Sequence, residues 1–207
     1  MIGGYIGKLL FVDLSTGKTW IETPDEAFLR TYLGGYGIGT RLMYDRMPAG
    51  ADPLGPDNLF GLVTGPLTGT PALGGSRYTA TGKSPLTGTV GDANSGGSFG
   101  PALKQAGFDA VFVTGTSDKP VYLLVDDGQA EIRDASDLWG KDTNETEAML
   151  RRLYGKGMEV ACIGQAGERL SLISCVINNE GRAAARSGLG AVMGSKKLKA
   201  VVARGSR

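Results

Sequence analysis

The chain has 207 residues, 41% of them hydrophobic and 21% charged, which is enough apolar material for one large domain or two small ones. Its formal net charge is +1, with no polybasic run and no aromatic RNA-binding motif, which excludes a nucleic-acid binder of the basic-patch kind. There is no histidine, and the two cysteines, Cys162 and Cys175, sit in apolar runs (VACIG, LISCVI) as buried free thiols, so the chain cannot build a tetrahedral zinc or iron–sulfur site and any metal chemistry has to come from a bound cofactor or another polypeptide.

The N-terminal stretch MIGGYIGKLLFVDLS is broken by Gly3, Gly4 and Gly7 and is too short in its apolar part for a signal peptide. No run reaches membrane-spanning length, and the protein reads as cytoplasmic. Lys8 to Leu14 and Lys18 to Glu22 form a hairpin about Ser15-Thr16-Gly17. Thr23-Pro24-Asp25-Glu26 opens a helix that runs through Ala27 to Leu33 and stops at Gly34-Gly35, and a second helix covers Gly39 to Met47. Gly35-Tyr36-Gly37-Ile38-Gly39 follows a helical segment, whereas a dinucleotide fingerprint follows a strand, so that reading fails.

Gly50 to Asn58 is a loop, Leu59 to Thr64 a buried strand and Tyr78 to Thr81 another strand, entered through Gly74-Gly75-Ser76-Arg77. Gly82-Lys83-Ser84 has the ending of a Walker loop, but Arg77 stands where that motif needs glycine and Pro85 follows the serine. After the small-residue turn Ala93 to Lys104 (ANSGGSFGPALK) come strands Phe108 to Gly115, Val121 to Asp126 and Glu131 to Arg133. A helix from Glu145 to Tyr154 follows, capped at Thr143-Asn144 and matching the Pro24 helix of the first half. Strands at Glu159 to Gly164 and Leu170 to Ile177 then lead to Arg182.

Glycine, 34 residues against roughly 7% in an average protein, concentrates in turns rather than in a low-complexity tract. The stretch Glu180 to Lys199 is of that kind. Small residues there let main-chain N–H groups approach an anion, Arg182 and Arg186 are one helical turn apart in spacing, and a helix beginning near Gly190 adds free N–H donors. Set against Ala93 to Lys104 at an offset of about 90 residues, Phe99, Gly100, Leu103, Phe108 and Gly115 fall on Leu189, Gly190, Met193, Leu198 and Gly205, and Leu62 to Gly65 has a counterpart in Ala161 to Gly164. The chain is therefore expected to be an internal duplication, its halves about 1–117 and 118–207.

The runs GPLTGT, SRYTATGKSPLTG, ANSGGSFG, EIRDASDLWGK and GRAAARSGLGAVMGSKKLKAV, in this order over the whole chain, resemble the N-terminal domain of the aldehyde:ferredoxin oxidoreductase family. The resemblance implies an α+β fold spanning 1–207, internally duplicated, whose two mixed sheets form a platform for a tungsten (or molybdenum) bispyranopterin cofactor. It implies that Arg77, Asn94, Ser95, Gly96, Arg182, Ala183, Ala184, Ala185 and, at the edge, Arg186 line the pterins and their phosphates. A Mg²⁺ would bridge those phosphates near the main-chain carbonyls of Asn94 and Ala183, with carbonyl, phosphate and water as its hard ligands.

The implied activity is oxidation of an aldehyde to a carboxylic acid, although relatives also reduce aromatic acyl thioesters. Electrons would leave through a [4Fe–4S] cluster, carried by further helical domains or a partner subunit, to ferredoxin; a homodimer is a further implied assembly. No residue here is expected to be catalytic. The chain departs from the family at Ala185 and Ser187, where glycine is usual, and in Cys162 and Cys175, which match no cluster motif. Its length leaves two readings, a part of the larger enzyme or a short protein by itself. The alternative function is a non-enzymatic carrier or assembly protein for the pterin cofactor, or an inactive fragment.

Overall fold

The computed structural model describes residues 3–206; Met1, Ile2 and Arg207, the ends of the expected domain, lie outside the described residues. The first half runs β1 (Leu9–Asp13), β2 (Lys18–Glu22), α1 (Glu26–Tyr32), α2 (Gly35–Arg46), β3 (Phe60–Thr64), β4 (Tyr78–Lys83), β5 (Val90–Ser95), α3 (Phe99–Gln105) and β6 (Ala110–Thr114). The second runs β7 (Val121–Asp126), β8 (Gln129–Asp134), α4 (Thr143–Tyr154), β9 (Met158–Cys162), α5 (Gln165–Glu168), β10 (Val176–Asn178), β11 (Arg182–Ala184), α6 (Leu189–Ser195) and β12 (Leu198–Arg204).

Each half closes one six-stranded sheet, in the orders β2-β1-β6-β3-β4-β5 and β8-β7-β12-β9-β10-β11. Strand for strand the two are the same. The pair β1/β6, like β7/β12, is parallel, and every other neighbouring pair is antiparallel. The fold is α+β and internally duplicated, as the shared turn–helix–strand pattern led one to expect.

Alternation along the strands explains the layers, since successive side chains of a strand face opposite sides. Leu10, Val12 and Val111 face inward, while Leu9, Phe11 and Phe112 pack outward against Leu29 of α1 and Ile38 and Leu42 of α2. On the second sheet Leu123 and Val125 face inward, and Tyr122, Leu124 and Val160 pack against Leu150 of α4. The inward faces of both sheets enclose one core, filled by Phe99 and Leu103 of α3 and Leu189 and Met193 of α6. Each of these short helices also reaches the other half's sheet, α3 touching β9 and β12, and α6 touching β3, β4 and β5.

Several expected elements are corrected. Ala93 to Ser95, read as the opening of a small-residue turn, lie in the strand β5, which has alternating burial on an edge. Of Leu170 to Ile177, read as a strand, only Val176 and Ile177 are strand, the start of β10; turns that follow α5 occupy the run as far as Cys175, and Leu172 and Ile173 are exposed, so an apolar run here did not signal burial. The cap of α4 is Asp142, not Thr143-Asn144; its carboxylate accepts from the Glu145 N–H while the Glu145 carboxylate accepts from the Asp142 N–H. The counterpart of α4 is α2 rather than the Pro24 helix, because α2 lies on β3 and β4 as α4 lies on β9 and β10.

Candidate functional site

Each sheet ends on a short edge strand, β5 in one and β11 in the other, and the two meet. The Ser187 Oγ donates to the Asp92 carbonyl at 2.9 Å at one end. At the other, the Ser98 N–H donates to Asn179 Oδ1 at 2.8 Å, and Arg182 lies against Gly97. These contacts run the two edges past one another in opposite directions, with the stretch around Asn94 facing the stretch around Ala183 and Ala185. Among the described residues no backbone hydrogen bond joins β5 to β11. An edge strand leaves alternate N–H and C=O groups without ladder partners, so the seam is lined by main-chain donors and acceptors from both halves.

The register fixes which residues correspond. Thr79 pairs with Asn94 and Ile177 with Ala183, while Val63 pairs with Thr79 and Cys162 with Ile177. Asn94 and Ala183 are therefore equivalent positions of the two halves, although one is polar and the other is not. By the same reckoning Cys175 stands in the second half where Arg77 stands in the first.

The cations of the seam are thus not related by the repeat. Arg77 leads into β4, and its Nη1 donates to Asn94 Oδ1 at 2.5 Å. Arg182 opens β11 and reaches across to Gly96, where a Cβ would lie 3.7 Å from its Nη1. Arg186 follows β11 in a left-handed conformation shared with Ser187 and Gly188. All three arginines are exposed, and none is paired with a carboxylate among the described residues. Asp92 lies on the same face of β5 as Asn94, and Glu180 is two residues before Arg182.

Two cavities flank the seam. One, of about 330 Å³, lies where the start of α2 and the loop after β3 face Arg77, Thr79 and Asn94. Its repeat counterpart, of about 460 Å³, lies where the start of α4 and the loop after β9 face Cys175 and Ile177.

The structure brings Arg77, Asn94, Gly96, Arg182 and the backbone of Ala183 and Ala185 to this seam, with Arg186 at its end. Ser95 and Ala184 belong to it only through their backbone. The Ser95 hydroxyl turns inward to Asn178 Oδ1 at 2.8 Å, and the Ala184 side chain is buried in the shared core. Arg182 and Arg186 are not on a helix, so their spacing reflects a strand and a turn. The start of α6 offers no open donors either: the Gly190 N–H donates to the Ser174 carbonyl at 3.1 Å, and the whole helix start is buried.

Sequence reasoning missed Asn178 and Asn179. Asn178 is fully buried, and it links Tyr78, Ser95 and Gly96 of the first half to the β10–β11 hairpin of the second. The only signal was an Asn-Asn-Glu-Gly turn, whose long-range partners are not visible in the sequence. The two thiols differ: burial pushes Cys162 up to about 12, whereas Cys175 is half-buried beside the second cavity. No group of three His, Cys, Asp or Glu side chains that could hold a metal ion is present among the described residues, and no helix among them is long and apolar enough to cross a membrane.

Residues 9–205 match the family described as aldehyde ferredoxin oxidoreductase, N-terminal domain. The chain belongs to that family. It is 50% identical over 205 residues to the tungsten-containing aldehyde ferredoxin oxidoreductase of Pyrococcus horikoshii and 47% identical to that of Pyrococcus furiosus, in each case over 99% of this chain and 34% of the relative. It is 37% identical to the WOR-like subunit of an aliphatic sulfonate oxidoreductase of Pyrococcus furiosus. Among solved structures, the active-site complex BamBC of benzoyl coenzyme A reductase, in complex with 1,5-dienoyl-CoA, superposes with a TM-score of 0.96 at 38% identity, over 100% of this chain and 32% of that one. The chain thus spans about a third of the length of the enzymes it matches.

Proposed function

We propose that this chain is the cofactor-binding platform of a tungsten bispyranopterin oxidoreductase that oxidises aldehydes to carboxylic acids. The observation that carries the reading is the seam itself: two equivalent edge strands side by side, flanked by Arg77, Arg182 and Arg186 with no carboxylate partners. A two-armed ligand with a phosphate on each arm suits such a site, because each arm meets the same backbone geometry and the guanidinium forks match phosphate oxygens. The family membership and the tungsten in the names of the closely similar Pyrococcus enzymes support the identity of the ligand.

The residues fit the group. Arg77 and Arg182 would hold phosphate oxygens, Arg186 would add charge at the edge, and the carbonyls of Asn94 and Ala183 would face a Mg²⁺ between the phosphates, which prefers such hard oxygen ligands. The bound tungsten cofactor would supply the two-electron oxidation, and this chain binds, orients and neutralises it. In the reading adopted here the chain contributes no proton-transfer group. The substrate pocket, the iron–sulfur cluster and the contact with ferredoxin belong to polypeptide corresponding to the remaining two-thirds of the relatives.

The test is elemental analysis for W, Mo, Mg and Fe together with fluorescence of oxidised pterin, on protein purified anaerobically from a host that makes the cofactor. The expected result is about one W and two pterins per chain, with loading reduced about tenfold or more in Arg182→Ala because a charge-assisted phosphate contact is lost. A folded sample without pterin would overturn the reading for this chain and favour an inactive fragment.

A further inference from the structure

The seam is held at both ends by side chains that no phosphate or metal would need to touch. Asn178, 0% exposed, uses all of its hydrogen-bonding capacity there: Oδ1 accepts from the Tyr78 hydroxyl at 3.0 Å and from Ser95 Oγ at 2.8 Å, and Nδ2 donates to the Gly96 carbonyl at 2.8 Å and to Asn179 Oδ1 at 2.7 Å. Asn179 is anchored in turn by its Nδ2, which donates to Glu159 Oε2 on β9 at 2.7 Å, and its Oδ1 accepts from the Ser98 N–H. The turn Gly96–Ser98 of the first half thus rests on two asparagines of the second. At the opposite end the same relation holds, with Ser187 of the second half donating to the Asp92 carbonyl of the first. Asn94 and Ala183 lie between the two fastenings.

We propose that Asn178 and Ser187 are positioning residues that set the distance between the β5 and β11 edges, and so the spacing of the main-chain oxygens offered to a divalent cation bound between two phosphates. This rests on the platform reading. The distance matters more to one part of the site than to the other. Magnesium demands near-ideal octahedral geometry at about 2.1 Å, so a seam a few tenths of an ångström too wide loses it. Arginine side chains are long and follow a phosphate that moves.

The experiment measures binding of inorganic pyrophosphate to the 207-residue chain by calorimetry, with and without Mg²⁺. In Asn178→Asp the shape and the two bonds accepted by Oδ1 survive, but an oxygen replaces the donor facing Gly96 O and Asn179 Oδ1, which pushes the turn away. Ser187→Ala removes the other fastening without touching the buried network. The expected result for each variant is a loss of about tenfold or more in the Mg²⁺-supported affinity, as for partners one shell removed from a metal, with metal-free affinity held within about twofold.

Unchanged Mg²⁺-supported binding in both variants would overturn the proposal. So would an equal loss with and without Mg²⁺, which marks a merely structural role. Arg77→Ala, by contrast, should weaken both. Wild-type chain that binds no pyrophosphate under either condition would sink the platform reading itself, a result distinct from wild-type binding that the two variants leave unaltered.

Discussion

At the scale of single residues, the chain tolerates costly groups where they tie loops together. Lys196 is fully buried on the turn after α6, and its ammonium donates to the carbonyls of Pro56 at 3.1 Å and Gly115 at 3.2 Å, fastening the end of α6 to two loops of the first half. Burial disfavours its charged form and lowers its pKa from 10.5 to about 8. A lysine whose folded-state pKa lies below its unfolded value makes the unfolded chain bind more protons between the two values, so its penalty is fully present below pH 8 and is relieved as pH rises toward 10.5. Lys196→Met is therefore expected to flatten the rise in unfolding free energy between pH 8 and 10 relative to wild type, by roughly 3 kcal/mol at most given about 1.4 kcal/mol per pKa unit. Urea titrations of both proteins across that range check it, and parallel curves would show that the ammonium is not strained. Ser187 illustrates the same trade. It sits at φ 56, a conformation disfavoured for a residue with a side chain by about 1 kcal/mol or more, and its hydroxyl makes one of the two fastenings of the seam.

At the scale of elements, the sequence was informative where a segment is amphipathic or capped and misleading where burial is decided by distant partners. The β1–β2 hairpin and the strands β3, β6 and β12 follow from apolar runs bounded by turn residues, and the body of α4 from helical periodicity. The edge strand β5 does not, because Val90, Asp92 and Asn94 face outward and only glycine, alanine and serine face in, which leaves no apolar alternation to detect. The run from Leu170 failed in the opposite way: it is apolar, yet it borders a cavity. Of the site, Arg77, Arg182 and the small-residue turns were legible as residue types, while Asn178 was not, since its partners Ser95 and Tyr78 are 83 and 100 residues away. The Asp142 cap is the local feature most directly open to test. Its carboxylate accepts from the Glu145 N–H at 2.8 Å, and its own N–H donates to Glu145 Oε2 at 3.0 Å. Asp142→Ala should cost about 1 kcal/mol of stability, measurable by denaturant titration. No change would mean that packing of Leu150 alone fixes α4.

At the scale of the whole molecule, duplication has produced one cooperative body. The central core draws on both inward sheet faces, and α3 and α6 reach the opposite half's sheet, so neither half has a complete core of its own. A protein in which each repeat kept its core to itself would unfold in two steps; this one is expected to unfold in one. Each half carries one tryptophan, Trp20 on β2 and Trp139 before α4, and variants retaining only one of them report on each half separately. The inward Leu123 of β7 is 0% exposed and packs in the shared core. Leu123→Ala removes buried methyl groups and leaves a cavity, at about 2–5 kcal/mol. Because the core is common property, the Trp20 and Trp139 transitions should shift together to lower denaturant, with coincident midpoints and calorimetric and van't Hoff enthalpies in agreement. If only the Trp139 transition moved, the halves would be independent folding units. The seam between β5 and β11 would then be a docking surface between two separate domains, and its width would be set by that docking rather than by a single packed interior.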